Sequence, residues 1–192
     1  MYGNGTVAFT ARLCAEIVGI PFDKLGEVSE FIGSGNSGLT FGGTGNQIRP
    51  VTACKGTTCV YGCCDTQELA RKLHEQFYLG KRKMPLPHKF KIAVGGCPNS
   101  CMKPSLNDFG IEARRGKDKT LFQIYVGGTW GRHTRVGTPL SCLVTGEVIF
   151  PVLHRTIGWF ADNARPKERL GGAIERIGIG DFERALWEKE RG

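Results

Sequence analysis

The order of apolar and polar positions divides the chain before any chemistry is considered. Residues 5–20 carry β-favouring side chains at Val7, Phe9 and Ile17 to Ile20, and they predict a strand that Pro21 stops. Phe22, Leu25, Val28 and then Phe31 or Ile32 recur at helical spacing, which predicts a helix over residues 22–32. Residues 33–45 are rich in Gly with Ser, Thr and Asn between, a composition that makes turns rather than elements. A boundary there separates a small lobe, residues 1–46, from a larger domain, residues 47–192.

The strongest helix signal covers residues 65–79. Asp65 can cap it, Glu68 follows three residues later, and Leu69, Leu73 and Phe77 share one face. Gly80 ends it, and Lys81, Arg82 and Lys83 suit the negative end of its dipole. Pro85-Leu-Pro-His88 reads as extended and leads into a short buried strand over residues 90–94. Strands over 109–114 and 121–126 flank a charged turn, and a helix over 146–163 is periodic despite Pro151. Two short helices follow, from Lys167 and from Asp181, so the fold class is α+β.

With 192 residues, 40% of them hydrophobic and 23% charged, the chain has an ordinary globular make-up, and no apolar run is long enough to span a bilayer. Lys and Arg number 26 against 18 Asp and Glu, a net +8 that draws anions such as nucleic acid, acidic membranes or small oxyanions. Residues 1–10 have neither the basic start nor the apolar centre of a secretion signal, which predicts a cytoplasmic protein without a membrane partner. Eight cysteines and 28 glycines go beyond that make-up. Disulfides do not persist in a reducing compartment, so clustered cysteines read first as metal or redox ligands.

Cys54-Lys-Gly-Thr-Thr-Cys59 and Cys97-Pro-Asn-Ser-Cys101 form two separated pairs, each on a loop beside a regular element, and four thiolates could converge. Gly56, Gly62, Gly95 and Gly96 let backbone N–H groups approach sulfur and tune a redox potential. A structural zinc is the competing occupant, although zinc loops use a tighter knuckle that neither pair has. Cys63 and Cys64 lie close enough to Cys59 to replace it as a ligand. Cys14 and Cys142, in apolar strand-like surroundings, read as buried thiols acting as small hydrophobes.

Further segments carry signal: Phe9-Thr-Ala-Arg12 with Ile17-Val-Gly-Ile20, Ile48-Arg49-Pro-Val-Thr-Ala-Cys54, His88-Lys89-Phe-Lys91, and Gly96-Cys97-Pro-Asn-Ser-Cys101 followed by Asn107-Asp108-Phe-Gly110. Together they resemble the siroheme-dependent sulfite and nitrite reductase family. The resemblance implies a ferredoxin-like half lobe joined to a nitrite/sulfite reductase 4Fe-4S siroheme domain. It implies a 4Fe-4S cluster on Cys54, Cys59, Cys97 and Cys101, with Cys101 also bridging to the siroheme iron. Arg12, Arg49 and Lys89, with Asn99 and Arg132, are then siroheme contacts, and Arg12, Arg49, Lys89 and Lys91 are catalytic. The first cysteine motif is one residue shorter than is usual in the family, which leaves Cys59 and Cys63 as rival ligands.

The activity implied is six-electron reduction of sulfite to sulfide, or of nitrite to ammonia, with a small oxyanion as substrate. Arginine forks and lysine ammonium groups suit both that anion and the carboxylates of siroheme, and lysines can supply the protons the reduction consumes. Alternating lysines are also what any half-exposed strand presents, and the Gly127-Gly-Thr-Trp-Gly-Arg132 turn could be loop chemistry alone. No ferredoxin motif is inserted, so electrons would come from an external ferredoxin-like donor; Lys81 to Lys83 could dock it, although a solvated helix end explains the same charges better. Larger family members hold siroheme between two modules, so a single module implies a homodimer or a partner subunit. The rival reading is a non-catalytic electron-transfer or siroheme-carrying subunit. A zinc-stabilised nucleic-acid binder fits the charge, but the aromatics are not interleaved with basic residues as a stacking platform requires, so no nucleic-acid partner is expected.

Overall fold

In the computed structural model, which describes residues 2–35, 40–81 and 84–188, the β-favouring stretch of residues 5–20 does not run as one strand. It breaks at Thr10, whose N–H donates to the Cys14 carbonyl at 2.9 Å and whose hydroxyl accepts from the N–H groups of Arg12 and Cys14. A local side-chain bond of this kind competes with strand pairing. The result is a hairpin of β1 (Val7–Phe9) antiparallel to β2 (Ala15–Ile17), with Val7 opposite Ile17. A 3-10 turn and α1 (Leu25–Gly33) follow where a helix was predicted, and α1 buries none of its residues. These elements make up one unit, residues 1–43.

Residues 44–192 form the other unit, around a five-stranded sheet ordered β3 (Thr52–Ala53), β4 (Ile92–Gly95), β5 (Phe109–Arg115), β6 (Thr120–Val126) and β7 (Thr138–Pro139). The first three run parallel, and the β5–β6 and β6–β7 pairs are antiparallel. Strand alternation sets Ile92, Phe109 and Val126 in one row and Val94, Ile111 and Ile124 in the next, all buried. Leu73 from α2 (Thr66–Leu73), Phe160 from α3 (Gly146–Asn163), Ile174 from α4 (Leu170–Ile177) and Phe182 from α5 (Ile179–Trp187) belong to the same core. The opposite face is lined by small residues, Ala93, Gly95 and Gly110, and the Pro104–Leu106 turn beds there. The Pro104 ring lies 3.5 Å from where a Gly95 Cβ would be, and a Gly110 Cβ would overlap the Pro104 carbonyl.

Asp65 caps α2 as predicted, its carboxylate accepting the Glu68 N–H at 3.0 Å. Beyond Leu73 the helix widens into a π-helical segment, His74–Leu79. It ends at Gly80 without a left-handed cap; in the widened turn a Cβ there would approach the Gln76 carbonyl to 2.5 Å. Arg82 and Lys83 lie outside the described residues. The last two helices begin at Leu170 and Ile179 rather than at Lys167 and Asp181, because Gly178, at φ 112, places the break between them.

Candidate functional site

Parallel neighbours send their carboxyl ends to the same edge of a sheet, which is where α/β folds bind ligands. Cys54 leaves the end of β3 and Gly96-Cys97 leaves the end of β4, so topology brings the two cysteine loops together. The Gly96 N–H donates to Cys54 Sγ at 3.2 Å, and the Cys63 N–H donates to the Gly96 carbonyl at 2.8 Å. From α2, the Thr66 hydroxyl and the Gln67 amide both donate to the Cys54 carbonyl, at 2.7 and 2.5 Å. Residue 96 is tightly enclosed: a Cβ there would lie 3.0 Å from Thr66 Cγ2 and 3.2 Å from Cys54 Sγ, so these side chains would have to shift by a few tenths of an ångström.

Burial alone would raise the Cys54 thiol, but the amides of Gly56 and Gly96 and the Thr66 hydroxyl outweigh it and hold the group below its ordinary value. Cys64 goes the other way: burial pushes it up to about 11, reinforced by Cys54, Cys63, Asp65 and Cys97. Cys54, Cys63, Cys64 and Cys97 therefore share one neighbourhood. Cys63 turns its thiol to the Tyr61 carbonyl of its own loop, at 3.6 Å. Cys59 is half-buried and Cys101 exposed, and no contact among the described residues joins either thiol to Cys54 or Cys97. Nor do any three described His, Cys, Asp or Glu side chains converge on a point where one metal ion would sit. Cys142, expected to be buried, is exposed in the bend beyond β7, and Cys14 is half-buried in the hairpin turn.

The loop after Cys97 turns through two non-glycine residues in the left-handed region, Ser100 at φ 55 and Lys103 at φ 47. Lys103 lays its ammonium over the Trp130 ring, 4.3 Å from the centroid, and the Gly137 N–H donates to the Ser105 carbonyl at 2.6 Å. The segment around Trp130 is thus a brace for the cysteine loop, a role that its residues did not announce. Asn99 and Arg132 are exposed.

Basic residues gather where the same two strands begin. The Arg49 N–H donates to the Phe90 carbonyl at 2.8 Å and the Phe90 N–H to the Gln47 carbonyl at 3.0 Å, which fastens Arg49 beside the Lys89-Phe-Lys91 segment. Asp108, fully buried, accepts the Lys91 N–H at 2.8 Å and grips the Arg169 guanidinium with contacts of 2.7 to 3.2 Å. Burial pushes the Asp108 carboxyl up, opposed by Arg169 and the Lys91 N–H. His88 is lowered by burial first, then by Arg169, Lys89 and Arg49, so these three cations lie within electrostatic reach of it. Of the predicted basic residues, Arg49, Lys89 and Lys91 come together here, whereas Arg12 belongs to the hairpin turn of the other unit. Arg169, Asp108 and His88 join this cluster through partners that the local sequence does not reveal.

A family model described as the nitrite and sulphite reductase 4Fe-4S domain matches residues 44–192. The chain belongs to that family. It is 28% identical over 186 residues to a nitrite reductase (NAD(P)H) of Bacillus subtilis (strain 168), covering 96% of this chain and 22% of the relative. A coenzyme F420-dependent sulfite reductase of Methanocaldococcus jannaschii is 27% identical over 201 residues, covering 76% of this chain and 32% of its own. The chain thus spans between about a fifth and a third of these two relatives. A crystal structure of dissimilatory sulfite reductase I superposes with a TM-score of 0.87 at 16% identity, over 98% of this chain and 63% of that one.

The family is one of oxidoreductases built on an iron–sulfur domain, and the thiol edge fits such a cluster. Two glycine-lined loops meet, backbone amides point at a sulfur, and that sulfur is biased toward thiolate. Among the described residues no helix is long and apolar enough to cross a membrane.

Proposed function

We propose that the chain is a siroheme- and 4Fe-4S-dependent reductase that converts sulfite to sulfide, or nitrite to ammonia. The reading is carried by the polarity of β3 and β4, with cysteine loops knitted together at their carboxyl end and Arg49, Lys89, Lys91 and Arg169 at their entry. β4 spans roughly 13 Å at about 3.3 Å per residue, a length that a flat macrocycle edged with carboxylates can cover. Cys54, Cys59, Cys97 and Cys101 would hold the cluster, and the exposed Cys101 would also serve the haem. When bound, the two groups supply an electron store and an iron at which a small oxyanion is reduced.

The protein's own part is electrostatic. The amides of Gly56 and Gly96 and the Thr66 hydroxyl bias Cys54 toward the thiolate, the form that binds metal. Arg49 and Lys89 pair with carboxylates, Asn99 and Arg132 add polar contacts, and Lys89 and Lys91 hold protons near the substrate. Electrons come from an external ferredoxin-like donor, in the cytoplasm, and a second copy or a partner subunit completes the pocket. The second reading is a non-catalytic electron-transfer or siroheme-carrying subunit that holds cofactor without turning over.

Iron, acid-labile sulfide and extracted pigment are measured on protein from iron-replete cells, followed by turnover with reduced viologen. Haem bands with a cluster shoulder and sulfide production are expected. Holoprotein that binds sulfite without forming sulfide supports the carrier, and colourless, zinc-bearing protein overturns both.

A further inference from the structure

We propose that His88 couples occupancy of the basic pocket by an oxyanion or carboxylate to uptake of one proton. The inference rests on the reading of that pocket as an anion site, and adds a proton-linked residue to it. His88 stands where separate segments deliver positive charge. Arg49 comes from the entry to β3, Lys89 is the next residue, and Arg169 reaches from the start of α4, clasped by Asp108. The imidazole Nδ1 accepts the Lys89 N–H at 2.7 Å, so the neutral ring carries its proton on Nε2.

Burial and the three cations lower the ring's pKa and so favour its neutral form. An anion seated on Arg49, Lys89 and Arg169 cancels the charge that opposes imidazolium and adds attraction to it, so the ring's pKa rises on binding. Protonation makes Nδ1 a donor, which ends its bond to the Lys89 N–H and frees a charged N–H for the anion. Coupling is reciprocal: whatever factor the anion gives to proton affinity, the proton gives to anion affinity. Anion binding therefore weakens as pH rises between the two pKa values, by up to about tenfold per pH unit. Each anion arrives with one of the protons that its reduction consumes.

Calorimetric titration of sulfate into the holoprotein, in buffers of different ionisation enthalpy, counts the protons. Sulfate is the probe because it does not titrate in the working range. A fractional uptake rising toward one proton is expected near pH 6 to 7. It disappears in His88→Gln and in His88→Asn, whose amide oxygen can replace Nδ1 as acceptor, while sulfate still binds. His74, His133 and His154 remain in both variants, so uptake that persists there overturns the assignment. Sulfate binding to the siroheme-stripped wild type without proton uptake overturns it as well, and so does the absence of sulfate binding to both the holoprotein and the stripped protein. Protein stripped of siroheme is titrated in parallel. If siroheme carboxylates fill the pocket, the uptake moves from sulfate binding to siroheme binding, and His88 remains the cause. Proton uptake in a protein that never forms sulfide sinks the reductase reading and leaves the inference standing. Sulfide formation without uptake does the reverse.

Discussion

The two cysteine loops leave neighbouring strands at one edge of the sheet, yet they are secured by different forces. The first is fastened by hydrogen bonds: Thr66 and Gln67 hold the Cys54 carbonyl, the Cys63 N–H holds Gly96, and the Thr120 hydroxyl donates to the Cys63 carbonyl at 2.7 Å. The second is seated by shape. Pro104 rests on Gly95 and Gly110, Lys103 stacks on Trp130, and the foot of the loop is pinned through Asp108 to Arg169. The pKa of a thiol is therefore set through bonding partners in the first loop, whereas the position of the second loop is set by packing and one buried ion pair.

Substitutions separate the two. The largest effect falls on the second loop: Arg169→Ala leaves the buried Asp108 carboxylate unpaired and is expected to cost about 3–5 kcal/mol in urea unfolding. Adding Asp108→Ala should recover much of that loss, and a double variant no more stable than Arg169→Ala would show that the ion pair is not the anchor. Next comes Gly110→Ala, whose Cβ overlaps the Pro104 carbonyl; about 2–3 kcal/mol of destabilisation is expected, with iron content falling alongside it.

Effects on the first loop are smaller and chemical. Thr66→Val removes a donor to the Cys54 carbonyl and a neighbour of its sulfur, for about 1–2 kcal/mol. Because that hydroxyl helps to lower the Cys54 pKa, its loss raises the pKa and slows alkylation of Cys54 at neutral pH in cluster-free protein. An unchanged rate–pH profile would mean that the amides alone set the thiol. Smallest is Trp130→Ala, which removes the exposed cation–π contact and is expected to shift thermal stability by about 0.5–1 kcal/mol.

Local features of this architecture were legible in the sequence. The Asp65 cap and the strands over 109–114 and 121–126 each declare themselves within a dozen residues, and each has its counterpart in the structure. What stayed hidden depends on distant partners or on one competing bond. Arg169 meets Asp108 across 61 positions of chain, so nothing near either residue announces the pair. β3 has two residues and no readable period, although it is what delivers Cys54 to the sheet edge. The hairpin break turns on the Thr10 hydroxyl, which looks like any β-compatible side chain until it accepts two backbone N–H groups. Cys142 has apolar neighbours in sequence, but the chain has already left β7 at Pro139, so strand alternation no longer governs where its thiol points.

The pairing of Thr52 with Ala93 carries a consequence for biogenesis. A ribosome releases Cys54 well before β4, the strand that locates it, exists, and the other neighbour of β4, β5, follows Cys97 and Cys101. During synthesis the early cysteines are free sulfhydryls with no cradle, open to stray metals and oxidants. The site at which these thiols meet is therefore complete only once the sheet has closed.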